Sequence, residues 1–209
     1  GDVDVRLDGG LGQTARDLVA ADESLRSQID EPMTGSVSYL ALVPSAAPLD
    51  NKACREALLY AIDKSDLIKV RGGPDVLRVT GNMVSPVLPS GTVDDDPYPT
   101  GPTGSVEAAR RKLIECGYPD GYEINMAFVN LGVGKSLFAS VQRSLARVGI
   151  IVNPVEFDSF LAYFTTGVGS QGSLKDKQIG LVATNWFPEG TSPLSYFGPI
   201  ADGRKIRSQ

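Results

Sequence analysis

The chain has 209 residues, 42% of them hydrophobic and 22% charged, with a formal net charge of −5. That is enough apolar material for one large domain or two small ones, and global disorder is excluded. The acidity is unbroken by any Lys/Arg cluster, so no nucleic acid is expected as a partner; the absence of histidine removes Ser-His-Asp, Cys-His and HExxH chemistry, and two cysteines cannot build a four-ligand zinc site.

The chain opens with "GDVDVRLDGG", which lacks the basic and apolar regions of a secretory signal. Either the protein is cytoplasmic or the chain begins well inside a longer precursor. No run of about 18 apolar residues occurs, so no membrane-spanning helix is expected. "SVSYLALV" (36–43) is β-rich and partly alternating, and reads as a strand. Residues 47–70 read as helix, with Asp50 as N-cap and Cys54, Leu58 and Ala61 on one face that Leu59 and Ile62 widen. A second short helix is expected from about Ser65.

Residues 71–104 are rich in glycine and proline and too long for an ordinary connector. They read as a meandering surface segment, either a binding loop or an excursion without order. Residues 105–121 form a helix with its stop: Val106, Ala109, Leu113 and Cys116 share a face, Gly117 suits the left-handed position after the last turn, and Pro119 follows. "YEINMAFVN" (122–130) alternates as a strand. "GVGKS" (132–136) resembles a phosphate-binding loop, but Val129 stands where its first glycine would be, so it reads as a loop with a helix start at Ser136. Residues 135–150 align Leu137, Val141, Leu145 and Val148 on a helical face. A strand at 150–158 tolerates Pro154 only near an edge or bulge. A short helix at 159–166, capped by Asp158 or Ser159, and a strand at 177–184 complete the pattern.

From residue 105 onward helices and strands alternate, which predicts an α/β fold with strands joined by crossover helices. In such sheets ligands sit beyond the carboxyl ends of the strands. The strand at 177–184 runs into "ATNWFPEGTSPLSYF" (183–197), which holds the sole tryptophan, Trp186, with Glu189 three residues on. This segment is expected to be neither regular helix nor strand. Two readings stand: a surface turn with a packed aromatic, or a binding site on a rigid loop. Tyr196 and Phe197 read as core, and Pro193 as a residue that shapes the turn.

Several segments together resemble one family. "GDVDV", "LDNKACREALLYAIDKSDLI", "VEAARRKLIECGYPDGYEINM", "VQRSLARVGIIVNPVEFDSFLAYF" and "NWFPEGTSPLSYF" occur in the order seen in the family 5 extracellular solute-binding proteins, the peptide and nickel receptors of ABC importers. The resemblance implies one lobe of a two-lobed clamshell, a mixed sheet with flanking helices. Residues 1–209 would be the second, C-terminal-half lobe, with "GDVDVRL" as the strand that crosses between lobes and the first lobe lying elsewhere in a longer protein. It implies a lipoprotein or periplasmic location outside the membrane. The implied partners are a peptide or other small solute, the first lobe and a membrane permease, with no cofactor. In peptide-binding members an aspartate three residues after the tryptophan meets the ligand's α-amino group. By position Trp186 matches the tryptophan, and Glu189 stands in place of the aspartate, one methylene longer. The implied ligand-binding residues are Trp186 and Glu189 with Asn185, Phe187 and Thr191.

Cys54 and Cys116 each lie on the buried face of a helix, as two free thiols or as a bridge. The oxidising compartment that the resemblance implies favours a Cys54–Cys116 disulfide. Two other function classes compete with import. One is a sensing or protein-interaction domain. The other is an enzyme using Asp158 and Glu189, which no spacing brings together.

Overall fold

The computed structural model describes residues 13–26, 34–74, 76–85, 87–88, 96–190 and 192–202. The expected crossing strand at 1–7 lies outside them. Near the start are two short helices, α1 (Gln13–Ala21) and α2 (Glu23–Arg26), which the sequence reading did not foresee.

Strand β1 (Val37–Leu42) leads to helix α3 (Lys52–Ala61) and helix α4 (Lys64–Val70). The second short helix expected from about Ser65 is α4, one residue earlier, and the first starts at Lys52 and not at 47. Asn51, not Asp50, caps α3, its side chain accepting the Ala53 N–H at 2.9 Å. Asp63 caps α4 by accepting the Asp66 N–H at 3.1 Å, so the break falls where a good N-cap residue competes with helix continuation. Leu59 is exposed rather than part of the buried face, which consists of Ala53, Cys54, Ala57, Leu58 and Ala61.

Helix α5 (Val106–Glu115) starts at Ser105, whose hydroxyl accepts the Ala108 N–H. It stops in a Schellman turn. Gly117 sits at φ 89°, its N–H donates to Ile114 O, and the Tyr118 N–H donates to Leu113 O. Strand β2 (Glu123–Val129), helix α6 (Gly134–Ala146) and strand β3 (Ile151–Phe157) follow. Helix α6 begins at Gly134, two residues before the expected Ser136, with no side-chain cap. Gly121 and Gly149 bring the starts of β2 and β3 together. Both have positive φ, and a Cβ on Gly121 would lie 2.1 Å from the Gly149 carbonyl oxygen.

After β3 comes a short helix, α7 (Phe160–Ala162), capped by Ser159 and widening into a π-helical turn (Tyr163–Gly167). Helix α8 (Gln171–Asp176), strand β4 (Ile179–Trp186) and helix α9 (Pro193–Ala201) end the described chain. The expectation that 183–197 holds no regular structure is therefore corrected. Strand β4 runs two residues beyond 184 because β1 supplies partners: Ser38 faces Asn185 and Val37 faces Trp186. Pro193 opens α9, a first-turn position that its missing N–H and fixed φ favour.

The sheet is mixed, in the order β1-β4-β2-β3. Strands β2, β3 and β4 are parallel, and β1 is antiparallel to β4 at one border. Pro154 lies on β3, the other border strand, as its missing donor requires. One face of the sheet packs under α3, α5 and α6 through Leu113, Met126, Leu145, Ile150 and Leu181. The π turn and α8 cover the opposite face, where Tyr163 meets Ala127, Ile179 and Val182. A disulfide between Cys54 and Cys116 joins α3 to the end of α5 across 62 positions, with Cα atoms 5.4 Å apart. Closing a loop of that length stabilises the folded chain by about 4 kcal/mol in the chain-entropy account.

Candidate functional site

Parallel strands β2, β3 and β4 end at one border of the sheet, at Val129, Phe157 and Trp186. Just beyond those ends large apolar side chains are exposed: Leu131 and Val133 after β2, Phe160 and Leu161 after β3, and Phe187 after β4. Exposed apolar side chains beyond three strand ends make this a candidate contact surface, although others, such as Ile114, Tyr118 and Ile151, are exposed elsewhere.

Trp186 is the last residue of β4 and is half-buried. Its indole N–H donates to the Tyr196 carbonyl oxygen at 3.2 Å, and its ring joins a cluster built on Val37, Leu88 and Tyr196. One part of the indole is therefore structural and tethers α9 to β4. Phe187 stacks on it with centroids 6.4 Å apart at 21° and is itself 55% exposed. Glu189 is exposed. Asn185 is exposed and donates to Ser36 Oγ at 3.4 Å. Thr191 lies outside the described residues. Asn185, Trp186, Phe187 and Glu189 thus follow one another from the strand's last turn into the loop before α9. The expectation for Tyr196 holds: it is fully buried, and its hydroxyl donates to the Met83 carbonyl at 2.9 Å. Burial raises its pKa above the ordinary phenol value.

The described parts of the turn-rich segment are anchored beside this strand end. Met83 and Leu88 pack with Trp186 and Tyr196, and the buried Ser85 hydroxyl donates to Gly35 O at 2.6 Å. The segment therefore supports the site from beneath, a role that glycine and proline content alone could not reveal.

Arg71, at the end of α4, is a residue the sequence reading passed over. Its Nη1 donates to the Ser38 hydroxyl, and its Nε is buried with no partner among the described residues. A buried donor left unmet costs about 1–3 kcal/mol. Burial also lowers its pKa from the ordinary guanidinium value. By contrast Arg147, between α3 and α6, donates to the carbonyls of Ser144, Ala61 and Thr103. In the polar cleft between α4 and α6, Asp66 is likewise already satisfied, since it accepts from Ser140 Oγ and Arg143 Nη2, each at 2.7 Å.

Asp158 and Glu189 lie on different connections, after β3 and after β4, and nothing in the structure pairs them. Among the described residues no group of three or more acidic or cysteine side chains could hold a metal ion. Among them, no helix is long and apolar enough to cross a membrane.

The family model of bacterial extracellular solute-binding proteins, family 5 middle, matches residues 1–208. The chain is 28% identical over 149 residues to heme-binding protein A of Haemophilus influenzae, covering 68% of this chain and 26% of that protein. It is 32% identical over 113 residues to the glutathione-binding protein GsiB of Salmonella choleraesuis, covering 54% of this chain and 21% of that one. Among solved structures, the clavulanic acid biosynthesis oligopeptide binding protein 2 superposes with a TM-score of 0.82 at 35% identity, over 95% of this chain and 36% of that one. The periplasmic binding protein DppA from Helicobacter pylori, in complex with the peptide STSA, shares the fold with a TM-score of 0.68 at 19% identity, over 90% of this chain and 34% of that one. The chain spans between 21% and 36% of the length of these relatives.

Proposed function

The chain belongs to the family 5 bacterial extracellular solute-binding proteins, and we propose that it is one ligand-contacting lobe of a two-lobed receptor that captures peptides or similar small solutes for an ABC importer. The observation that carries this reading is the end of β4. There an exposed Phe187 stacks on the half-buried Trp186, with the exposed carboxylate of Glu189 two residues on. A flat apolar wall beside a free negative charge suits a ligand with an apolar body and an ammonium group. Glu189 would accept from a peptide's α-amino group, a charge-assisted hydrogen bond that contributes about 1.5–3 kcal/mol. Asn185 and Thr191 would supply neutral polar contacts. The exposed apolar residues beyond β2 and β3 supply the surface on which a second lobe would close.

The receptor acts outside the cytoplasmic membrane, as a lipoprotein or in a periplasm, and passes its solute to a membrane permease. It performs no chemistry on the solute. Relatives named for oligopeptide and glutathione binding support a peptide-like ligand, and one named for heme widens the range.

The test is a titration of the full-length protein with a pool of short peptides, followed by tryptophan fluorescence. A saturable change that Trp186→Phe removes is expected, and Glu189→Gln should weaken affinity roughly tenfold or more. No response to any peptide pool would favour the sensing or protein-interaction reading, and turnover of the solute abolished by Glu189→Gln would favour the enzyme.

A further inference from the structure

Helix α6 begins beyond the carboxyl end of β2 and returns to the amino end of β3. Its last turns and the start of α4 therefore frame a cleft at the border of the sheet away from the ends of β2, β3 and β4. The cleft holds about 240 Å³, and its walls include Asp63, Asp66, Lys69, Arg143, Ser144 and Arg147. Sites for drug-sized ligands run from about 300 Å³ upward, so this one suits a small chemical group. Three cations and two carboxylates line it, a local excess of positive charge on a chain of net charge −5.

The carboxylates of the cleft are engaged by the protein. Asp63 Oδ1 accepts from Ser65 Oγ at 2.6 Å and from the Asp66 N–H at 3.1 Å, and Asp66 Oδ2 accepts from Ser140 and Arg143. The donors are not used up. Asp66 holds one corner of the Arg143 guanidinium, Nη2, and leaves Nε and Nη1 without an acceptor among the described residues. Arg147 uses Nε and Nη2 on three carbonyls and keeps Nη1. Lys69 is exposed, and its side chain has no partner among the described residues. Ser144 is only 3% exposed. Its Oγ accepts the Asp63 N–H at 3.2 Å, while its own proton has no acceptor among the described residues. A buried hydroxyl with a proton still to give, in the wall of a cationic cleft, points to a missing acceptor. On the neighbouring helices the cations are matched: Lys112 to Glu56 and Glu115, Lys52 to Glu56, and Arg111 to Glu107.

We propose that the α4–α6 cleft binds a phosphate group, with Lys69, Arg143 and Ser144 as its principal donors and Arg147 beside them. An ammonium from one helix and a guanidinium and a hydroxyl from another do not share a plane. Such a set suits a tetrahedral oxyanion better than a flat carboxylate, which a single arginine fork would serve. The inference stands apart from solute capture, since none of these residues lies at the ends of β2, β3 or β4. The phosphate group has two sources: a phosphorylated small molecule in solution, or the headgroup of an anionic lipid at a membrane surface.

Arg143 Nε–H is followed by NMR in the 209-residue chain, assigned by its loss in Arg143→Lys. The chain is titrated with sodium phosphate, and with sodium acetate and sodium chloride at equal ionic strength. A saturable shift with phosphate that neither other salt reproduces is expected, and Lys69→Gln should weaken it roughly tenfold. Lys69 has no side-chain partner to lose among the described residues, so this variant keeps the fold. Lys175→Gln on α8, across the sheet, removes the same charge and should leave the titration unchanged. The absence of a shift, a shift that acetate matches, or equal weakening by the two variants would overturn the proposal. Vesicles then separate the sources. Co-sedimentation with phosphatidylglycerol vesicles but not with phosphatidylcholine vesicles, lost in Lys69→Gln, assigns the lipid headgroup. The phosphate shift without co-sedimentation assigns a soluble phosphate compound. Co-sedimentation that Lys69→Gln leaves unchanged would rule out the cleft as the lipid site.

Discussion

The hydroxyl of Tyr163 ends among backbone oxygens of the sheet. It donates to Ala183 O at 2.7 Å, with Ala127 O at 3.4 Å, while the ring packs edge-on against Phe157. Burial raises the phenol's pKa, so it stays neutral and keeps its proton for that bond. Tyr163→Phe should therefore lose about 1 kcal/mol of stability, read from urea unfolding, with the far-UV spectrum unchanged. A neutral result would mean that the hydroxyl bond is not made in solution. Residues of this kind are half legible. The sequence marked Trp186 and Glu189 as worth following, because one is the sole indole and the other a charge three residues on. It could not show that the indole N–H is already committed to Tyr196. Arg71 was invisible for a related reason: an arginine just past a helix looks solvated, and the burial of its Nε without an acceptor among the described residues is a fact of tertiary structure.

Helices α4 and α6 are tied by one carboxylate. Asp66 accepts from Ser140 Oγ and from Arg143 Nη2, and these bonds hold its pKa below the ordinary value of 3.8. A lowered folded pKa contributes stability that is present above the unfolded value and is lost as pH falls through the folded one. Asp66→Asn should thus cost about 1 kcal/mol at neutral pH. The difference from the parent chain should vanish as the pH drops below 3.8, as measured by thermal melts across that range. A penalty that stays constant into acid would rule out the charge as its source. Elements were legible where a local pattern decided them. Leu137, Val141 and Leu145 placed α6, and Gly117 placed the end of α5. They were not legible where a distant partner decided. Strand β4 gains Asn185 and Trp186 from β1, some 150 residues earlier in the chain. Helix α9 contains Gly198 and Pro199, poor helix formers, and its buried Tyr196 outweighs them.

At the scale of the whole molecule, the alternation after residue 105 correctly predicted parallel strands with crossover helices. The resemblance implied a mixed sheet, and β1 is its antiparallel strand; which strand that would be was not legible, since antiparallel pairing at a border leaves no mark in the strand's own residues. On the lobe reading, the exposed apolar residues beyond β2, β3 and β4 form half of an enclosure. Ligand sites of this kind bury most of the ligand, so one wall alone makes about half the contact. Halving a micromolar interaction leaves millimolar binding. Peptide affinity of the 209-residue chain should then fall on the order of a thousandfold below that of the full-length protein, measured by calorimetry side by side. Equal affinities would mean that the site is complete within this chain and that the two-lobed reading is wrong.

A sheet with open borders presents unpaired backbone to every other copy it meets. On β3 that border carries Pro154, which has no N–H to offer. A passing strand cannot zip along β3 without a gap, so sheets do not concatenate from that side. The residue that the strand merely tolerates in the fold thus governs behaviour in a crowd. It favours solubility at the concentrations reached during synthesis, when many partly folded copies share one space.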